Sequence, residues 1–288
     1  MARLLQLCAV ICLAGASVEL CAAQDFHVPE TAVAGEGASI ATRGIGKAIF
    51  YLVGPGVSRK NDVTLGEQVQ LRPQDLRNAG HYLAIVCSGT CRSESFYVSA
   101  AQPANLTFLV HPSRVPVAQG DAVSGVAFPF DQYHNLVLTP ENISFQLRGK
   151  EVPLWSRSVR TENGVAWFRT ASGKSAGPLL VVASLGDLKT PRAVEQVASD
   201  PCNLRITGQR TPKGILVQTE PVHDCAGNVV PDGTIVTFTA TGAAGMGTVD
   251  APIKQGIARA QMEAPGATTI SVASGVVMGN EIRVGAQP

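Results

Sequence analysis

Residues 131–145 read DQYHNLVLTPENISF and residues 224–238 read DCAGNVVPDGTIVTF. Asp131 falls on Asp224, Asn135 on Asn228, Val137 on Val230 and Phe145 on Phe238, all at an offset of 93. A repeat of that length is one small domain copied in tandem. Outside these stretches the copies still agree. Pro103-Ala104-Asn105-Leu106 returns as Pro201-Cys202-Asn203-Leu204, Gly164-Val165-Ala166 as Gly256-Ile257-Ala258, and Ala183-Ser184 as Ala273-Ser274.

The segments inside each copy read as strands. Ile143-Ser-Phe145-Gln-Leu147 alternates apolar and polar residues with period two, as do Val236-Thr-Phe238-Thr and Thr269-Ile270-Ser-Val272-Ala. Turn signals punctuate them at Gly54-Pro55-Gly56, Glu162-Asn163-Gly164, Asp232-Gly233 and Ala264-Pro265-Gly266. No stretch carries a sustained helical period; Arg72-Pro73-Gln74-Asp75-Leu76-Arg77 predicts a single turn. Many short strands at this spacing predict an all-β chain of tandem immunoglobulin-like sandwiches.

The first residues carry one basic side chain (Arg3), an apolar run over Leu4–Ala16 and small residues around Cys21-Ala22-Ala23. That is the layout of a secretory signal peptide cut after Ala23. A membrane anchor and a lipid on Cys21 are the alternatives, the first opposed by an apolar run too short to span and the second by Leu20. The expected divisions are 1–23 (signal peptide), 24–100, 101–198 and 199–288, with no transmembrane segment once the leader is removed. With 23 basic against 22 acidic residues and no Lys/Arg run, nothing points to a nucleic-acid partner. The short links Ala100-Ala101-Gln102 and Ala198-Ser199-Asp200, each ending at a Pro, predict limited interdomain angles.

Four cysteines lie beyond the leader, and an exported chain with an even count predicts disulfides. Cys202 stands where the first copy has Ala104, and Cys225 where it has Gln132. The two appear together in one copy and are missing together from the other, which pairs Cys202 with Cys225 and leaves Cys87 with Cys91. Chain entropy gives about 3.4 kcal/mol for the longer loop and about 2 for the shorter. A redox or metal role for Cys87-x-x-x-Cys91 is the alternative.

A family likeness rests on Asp224-x-x-Gly227-Asn228-x-Val230-x-Asp232-Gly233-Thr234-x-Val236-Thr237-Phe238, then Gly256-Ile257-Ala258, then Pro265-Gly266-Ala267-Thr268-Thr269-Ile270-Ser271-Val272-Ala273. This resembles the bacterial immunoglobulin-like (Big-1-like) repeats of invasin and intimin, well over 200–288 and more loosely over 102–198. The resemblance implies that the acidic residue and the Gly-Asn make a turn, and that Val236-Thr237-Phe238 is a core strand. It also implies a role as an extracellular spacer, with adhesion usually carried by a different terminal domain. Upstream, Ala79–Cys87 looks like the strand that carries a tyrosine corner in immunoglobulin-like domains. Its Cys87 follows Tyr82 by five residues instead of two, so a bridge across Ser88-Gly89-Thr90 is expected in place of an inter-sheet one.

Catalytic and metal chemistry is not signalled. His27, His81, His111, His134 and His223 are scattered singly, and His134 and His223 each stand near one Asp of the repeat turn. Ser172-Gly173-Lys174-Ser175 imitates the end of a phosphate loop, but Phe168 occupies the first glycine position and no helix follows. The expectation is therefore no catalytic residue, no metal and no cofactor. Tyr133 and His134 replace the small pair Ala226-Gly227 and are expected to enlarge their loop, which makes them the candidate binding loop. The leading functional expectation is a secreted, non-enzymatic structural and recognition protein, periplasmic or at the cell surface, binding a protein or glycan partner. The alternative is a soluble periplasmic subunit that joins an envelope or secretion complex through an exposed sheet edge.

Overall fold

The computed structural model describes residues 25–149 and 153–285, so the leader reading lies outside the described residues. Among the described residues every regular element is a strand except one 3-10 turn, Pro73–Leu76. The chain divides into two compact units, Met1–Ser99 and Ala100–Pro288.

In the first unit, Asp25–His27, Ala38–Arg43 and Gln68–Leu71 form one sheet. Lys47–Gly54, Val57–Thr64, Gly80–Ser88 and Thr90–Ser99 form the other, with Ala32–Val33 joined in parallel to Thr90–Ser99. Their alternating apolar positions meet in a core that includes Ile40, Phe50, Leu52, Leu76 and Val86. Tyr82 is buried in it, stacks on Phe96 at 5.5 Å and donates its hydroxyl to the Asn78 carbonyl at 2.8 Å. That is the tyrosine corner. Burial pushes the phenol above its usual pKa, with the Asn78 bond acting the other way. Gly54 makes room for the ring: a Cβ there would lie 2.3 Å from Tyr82 Cδ1. Below the corner, Asp75 is held by Arg72 (3.0 Å) and by Arg59, and these partners keep its carboxyl below the usual range against the opposing effect of burial. Cys87 and Cys91 face each other across the hairpin and are bonded.

The second unit holds two sandwiches. In one, Asn105–His111, Val123–Phe130 and Ala166–Thr170 pack against the sheet of Arg114–Pro116, Asn142–Arg148, Pro153–Arg160, Gly177–Leu185 and Leu188–Val197. Phe145 lies between Phe108 and Phe168, with ring centroids at 5.7 and 4.8 Å. In the other, Ile206–Thr211, Gly214–Thr219 and Arg259–Met262 face Ile235–Gly242, Gly245–Pro252, Thr268–Ser274 and Val277–Val284. Phe238 takes the place of Phe145, and both are fully buried. Burial of such a ring stabilises by about 1.5–3 kcal/mol. Asn163-Gly164 and Gln255-Gly256 form matching tight turns, all four residues at positive φ. Cys202 is bonded to Cys225, tying the entry strand Pro201–Cys202 to the strand His223–Asp224.

Replacing Tyr82 by Phe removes only the corner hydroxyl and leaves the Asn78 carbonyl without that donor. The expected loss is about 1 kcal/mol in urea unfolding of the first unit, with an unchanged m-value.

Candidate functional site

The repeat turn is built on a buried carboxylate. Asp131 is fully buried at the end of Val123–Phe130. Its Oδ1 accepts the backbone N–H groups of Tyr133 (2.8 Å) and Asn135 (2.9 Å). Its Oδ2 accepts the Asn135 side-chain amide (2.8 Å) and the N–H of Ala101 (3.0 Å) in the entry link. Asp224 repeats the pattern: Oδ1 takes Ala226 (2.9 Å) and Asn228 (2.8 Å), and Oδ2 takes the Asn228 amide (3.0 Å) and the Ser199 N–H (3.0 Å). A short acceptor side chain bonding its own backbone two residues on is what makes Asp a turn residue. Here the second oxygen also fixes the incoming chain. Link, turn and following strand are therefore set by one side chain.

Tyr133 is half-buried and His134 exposed. His134 stands at φ 65°, and its counterpart Gly227 at φ 84°. Histidine is among the side chains that tolerate this region, so the loop keeps its backbone course while carrying a large ring. The expectation that these residues enlarge the loop is corrected in this respect: the turn has the same length and hydrogen bonds in both copies, and only the side chains differ. His134 borders a shallow groove of about 390 Å³ with Asn105, Thr107, Lys189 and Thr190.

Asn228, a turn residue by sequence, has a second role that the sequence did not show. Besides bonding Asp224, its side chain accepts from the Ala176 N–H (2.9 Å) and donates to the Lys174 carbonyl (2.9 Å) of the preceding sandwich. The primary amide thus pairs with the chain on either side of Ser175 as a strand neighbour would. The receiving loop is itself fixed. Buried Gln196 accepts from the Gly173 N–H (2.5 Å) and donates to the Ser175 carbonyl (3.1 Å). Ser172 Oγ donates to the Pro116 carbonyl (2.7 Å). The segment that imitates a phosphate loop in sequence is a docking loop between two sandwiches.

One further group converges among the described residues. Ligand atoms of Asp25, His27 and Glu94 lie within 4.8 Å of one another. Asp25 also meets Arg43 at 3.5 Å, and Glu94 accepts the Val28 N–H at 3.3 Å. Asp25 and His27 share a strand face because they are two residues apart, a pattern not singled out from sequence. Among the described residues no helix is long and apolar enough to cross a membrane.

The two turn carboxylates make a pH prediction. Burial opposes their ionisation, but the bonds from Asn135, Ala101 and Tyr133, and from Asn228, Ser199 and Ala226, outweigh it and hold both below the usual range. In the unfolded chain they titrate near 3.9. Their contribution is therefore complete above about pH 4 and is lost as pH falls through the depressed folded values. The second unit's resistance to denaturant should fall below about pH 4. The double variant Asp131→Asn/Asp224→Asn should lose about 1.5–3 kcal/mol per site at neutral pH and show a flatter acid limb.

No protein-family model matches the chain, and no curated protein matches it in sequence. Solved structures do. The Escherichia coli adhesin FdeC aligns with a TM-score of 0.62 at 14% identity, covering 91% of this chain and 96% of that one. Invasin, described as a bacterial integrin-binding protein, aligns at 0.49 and 11% identity over 92% of this chain and 60% of its own. Yersinia pseudotuberculosis InvD aligns at 0.48 and 10% identity over 90% of this chain and 97% of its own. The likeness to FdeC is one of fold: this chain shares its tandem immunoglobulin-like architecture.

Proposed function

We propose that the protein is an exported, non-enzymatic chain that spaces and presents a recognition surface at the cell envelope or outside the cell. The observation that supports this most directly is the clamp. Asp131 and Asp224 each spend a buried carboxylate on fixing the entry link, and Asn228 spends its amide on the neighbouring sandwich. Such bonding suits a chain whose second unit holds its two sandwiches in register. The FdeC-like fold over most of the chain supports the adhesion reading, and two disulfides support export into an oxidising compartment. Tyr133 and His134 remain the candidate recognition loop on side-chain size, together with the groove beside His134.

Fractionation of cells expressing the tagged chain, followed by binding of the purified protein to arrays of host-matrix proteins and glycans, tests this reading. The expected result is protein in the periplasmic or surface fraction and saturable capture of a protein or glycan. Cytoplasmic retention with reduced cysteines would overturn it.

A further inference from the structure

The edge of the second sandwich formed by Ala166–Thr170 differs from the sandwich's other edges. The strand Asn105–His111 on the far side of its sheet is covered by Leu188–Val197, whose Thr190 hydroxyl donates to the Leu106 carbonyl at 2.8 Å. In the opposite sheet, one edge strand is the short Arg114–Pro116. The other, Pro153–Arg160, begins at a proline beside a register shift at Leu147/Arg148. These are ordinary ways of blunting a sheet edge. Ala166–Thr170 has neither proline nor glycine and pairs in unbroken register with Val123–Phe130 alone.

Side chains at this edge are unusual for a solvent face. Trp167 is 67% exposed and lies in one row with Val126 and Leu109, itself 55% exposed. Arg169 heads the next row, with Ser124 and His111. Across the mouth of the sandwich, Phe168 packs on Phe145 and on Trp155. Arg157 stands directly opposite Phe145 in the facing edge strand and is exposed. Among the described residues neither Arg157 nor Arg169 has an acid within ion-pair distance. Aromatic and arginine side chains of this kind are the usual anchors of interfaces.

We propose that Ala166–Thr170 takes up an extended acidic segment of a partner protein as an added strand. Main-chain pairing to the open edge gives affinity. The alternating side chains of the added strand then meet Trp167 and Arg169 on one face and Arg157 on the other. An acidic partner fits because, among the described residues, Arg157 and Arg169 have no acid within ion-pair distance. This deepens the recognition reading above and rests on it.

The test uses the full chain and a capped Glu/Val peptide with Glu on both strand faces, with its Lys/Val counterpart as control, measured by calorimetry and by amide exchange of residues 166–170. The Glu/Val peptide should bind roughly tenfold or more tightly than the Lys/Val peptide and slow exchange along the edge. N-methylation of its alternate amides should abolish binding. Arg157→Gln with Arg169→Gln should weaken it roughly tenfold, and Trp167→Thr, which keeps a good strand former, should weaken it as well. Equal binding of both peptides, or binding unchanged in these variants, overturns the proposal. So does heparin protecting the same edge while the peptide does not, or dimerisation through Trp167 that excludes the peptide. If the chain captures a ligand on the arrays and these variants leave that capture intact, this proposal fails while the recognition reading stands.

Discussion

A buried carboxylate with two jobs governs the second unit. Asp131 and Asp224 each sit where desolvation disfavours charge, and each keeps its charge because four N–H donors converge on it. Removing one donor leaves a charge poorly compensated, so turn, link and strand entry depend on one another. Where the third sandwich begins, the Cys202–Cys225 bond adds a covalent tie between the same two segments. Asn228 then carries the constraint outward, since the amide that satisfies Asp224 also pairs with Lys174 and Ala176 of the preceding sandwich.

The strand pattern and the cores were legible because period-two alternation follows directly from the geometry of a half-buried strand. Phe145 and Phe238, read as equivalent, are equivalent. The disulfide pairs followed from co-occurrence across the two copies. The tyrosine corner was legible from Tyr82, and the bridge that replaces the inter-sheet disulfide from cysteine spacing. Register within the late strand was not. Ala183 is opposite Phe145, whereas Val272 is opposite Phe238, so the matched Ala183 and Ala273 face different ways. Ala273 lies one residue past the position that pairs with Phe238, and a change of one residue in a strand reverses the face.

The junction was illegible for a different reason. Asn135 and Asn228 read as turn residues, which they are, and nothing local records that an amide bonded to its own turn has donors and acceptors left for a neighbour. The docking loop Ser172–Ala176 looked like a failed nucleotide motif because Gly, Ser and Lys serve any loop whose backbone must be approached closely. The open edge at Ala166–Thr170 was equally hidden, since Trp167 and Phe168 adjoin in sequence but point to opposite faces. One fills the core and the other meets solvent.

If the aspartate and asparagine set the geometry of the second unit, its two sandwiches must tumble and align together. Residual dipolar couplings of the labelled full chain test this most directly. A single alignment tensor should fit backbone couplings of residues 105–197 and 206–284, and the double variant Asp224→Ala/Asn228→Ala should require two. A native chain that already needs two tensors, or a double variant that still needs only one, would contradict the account.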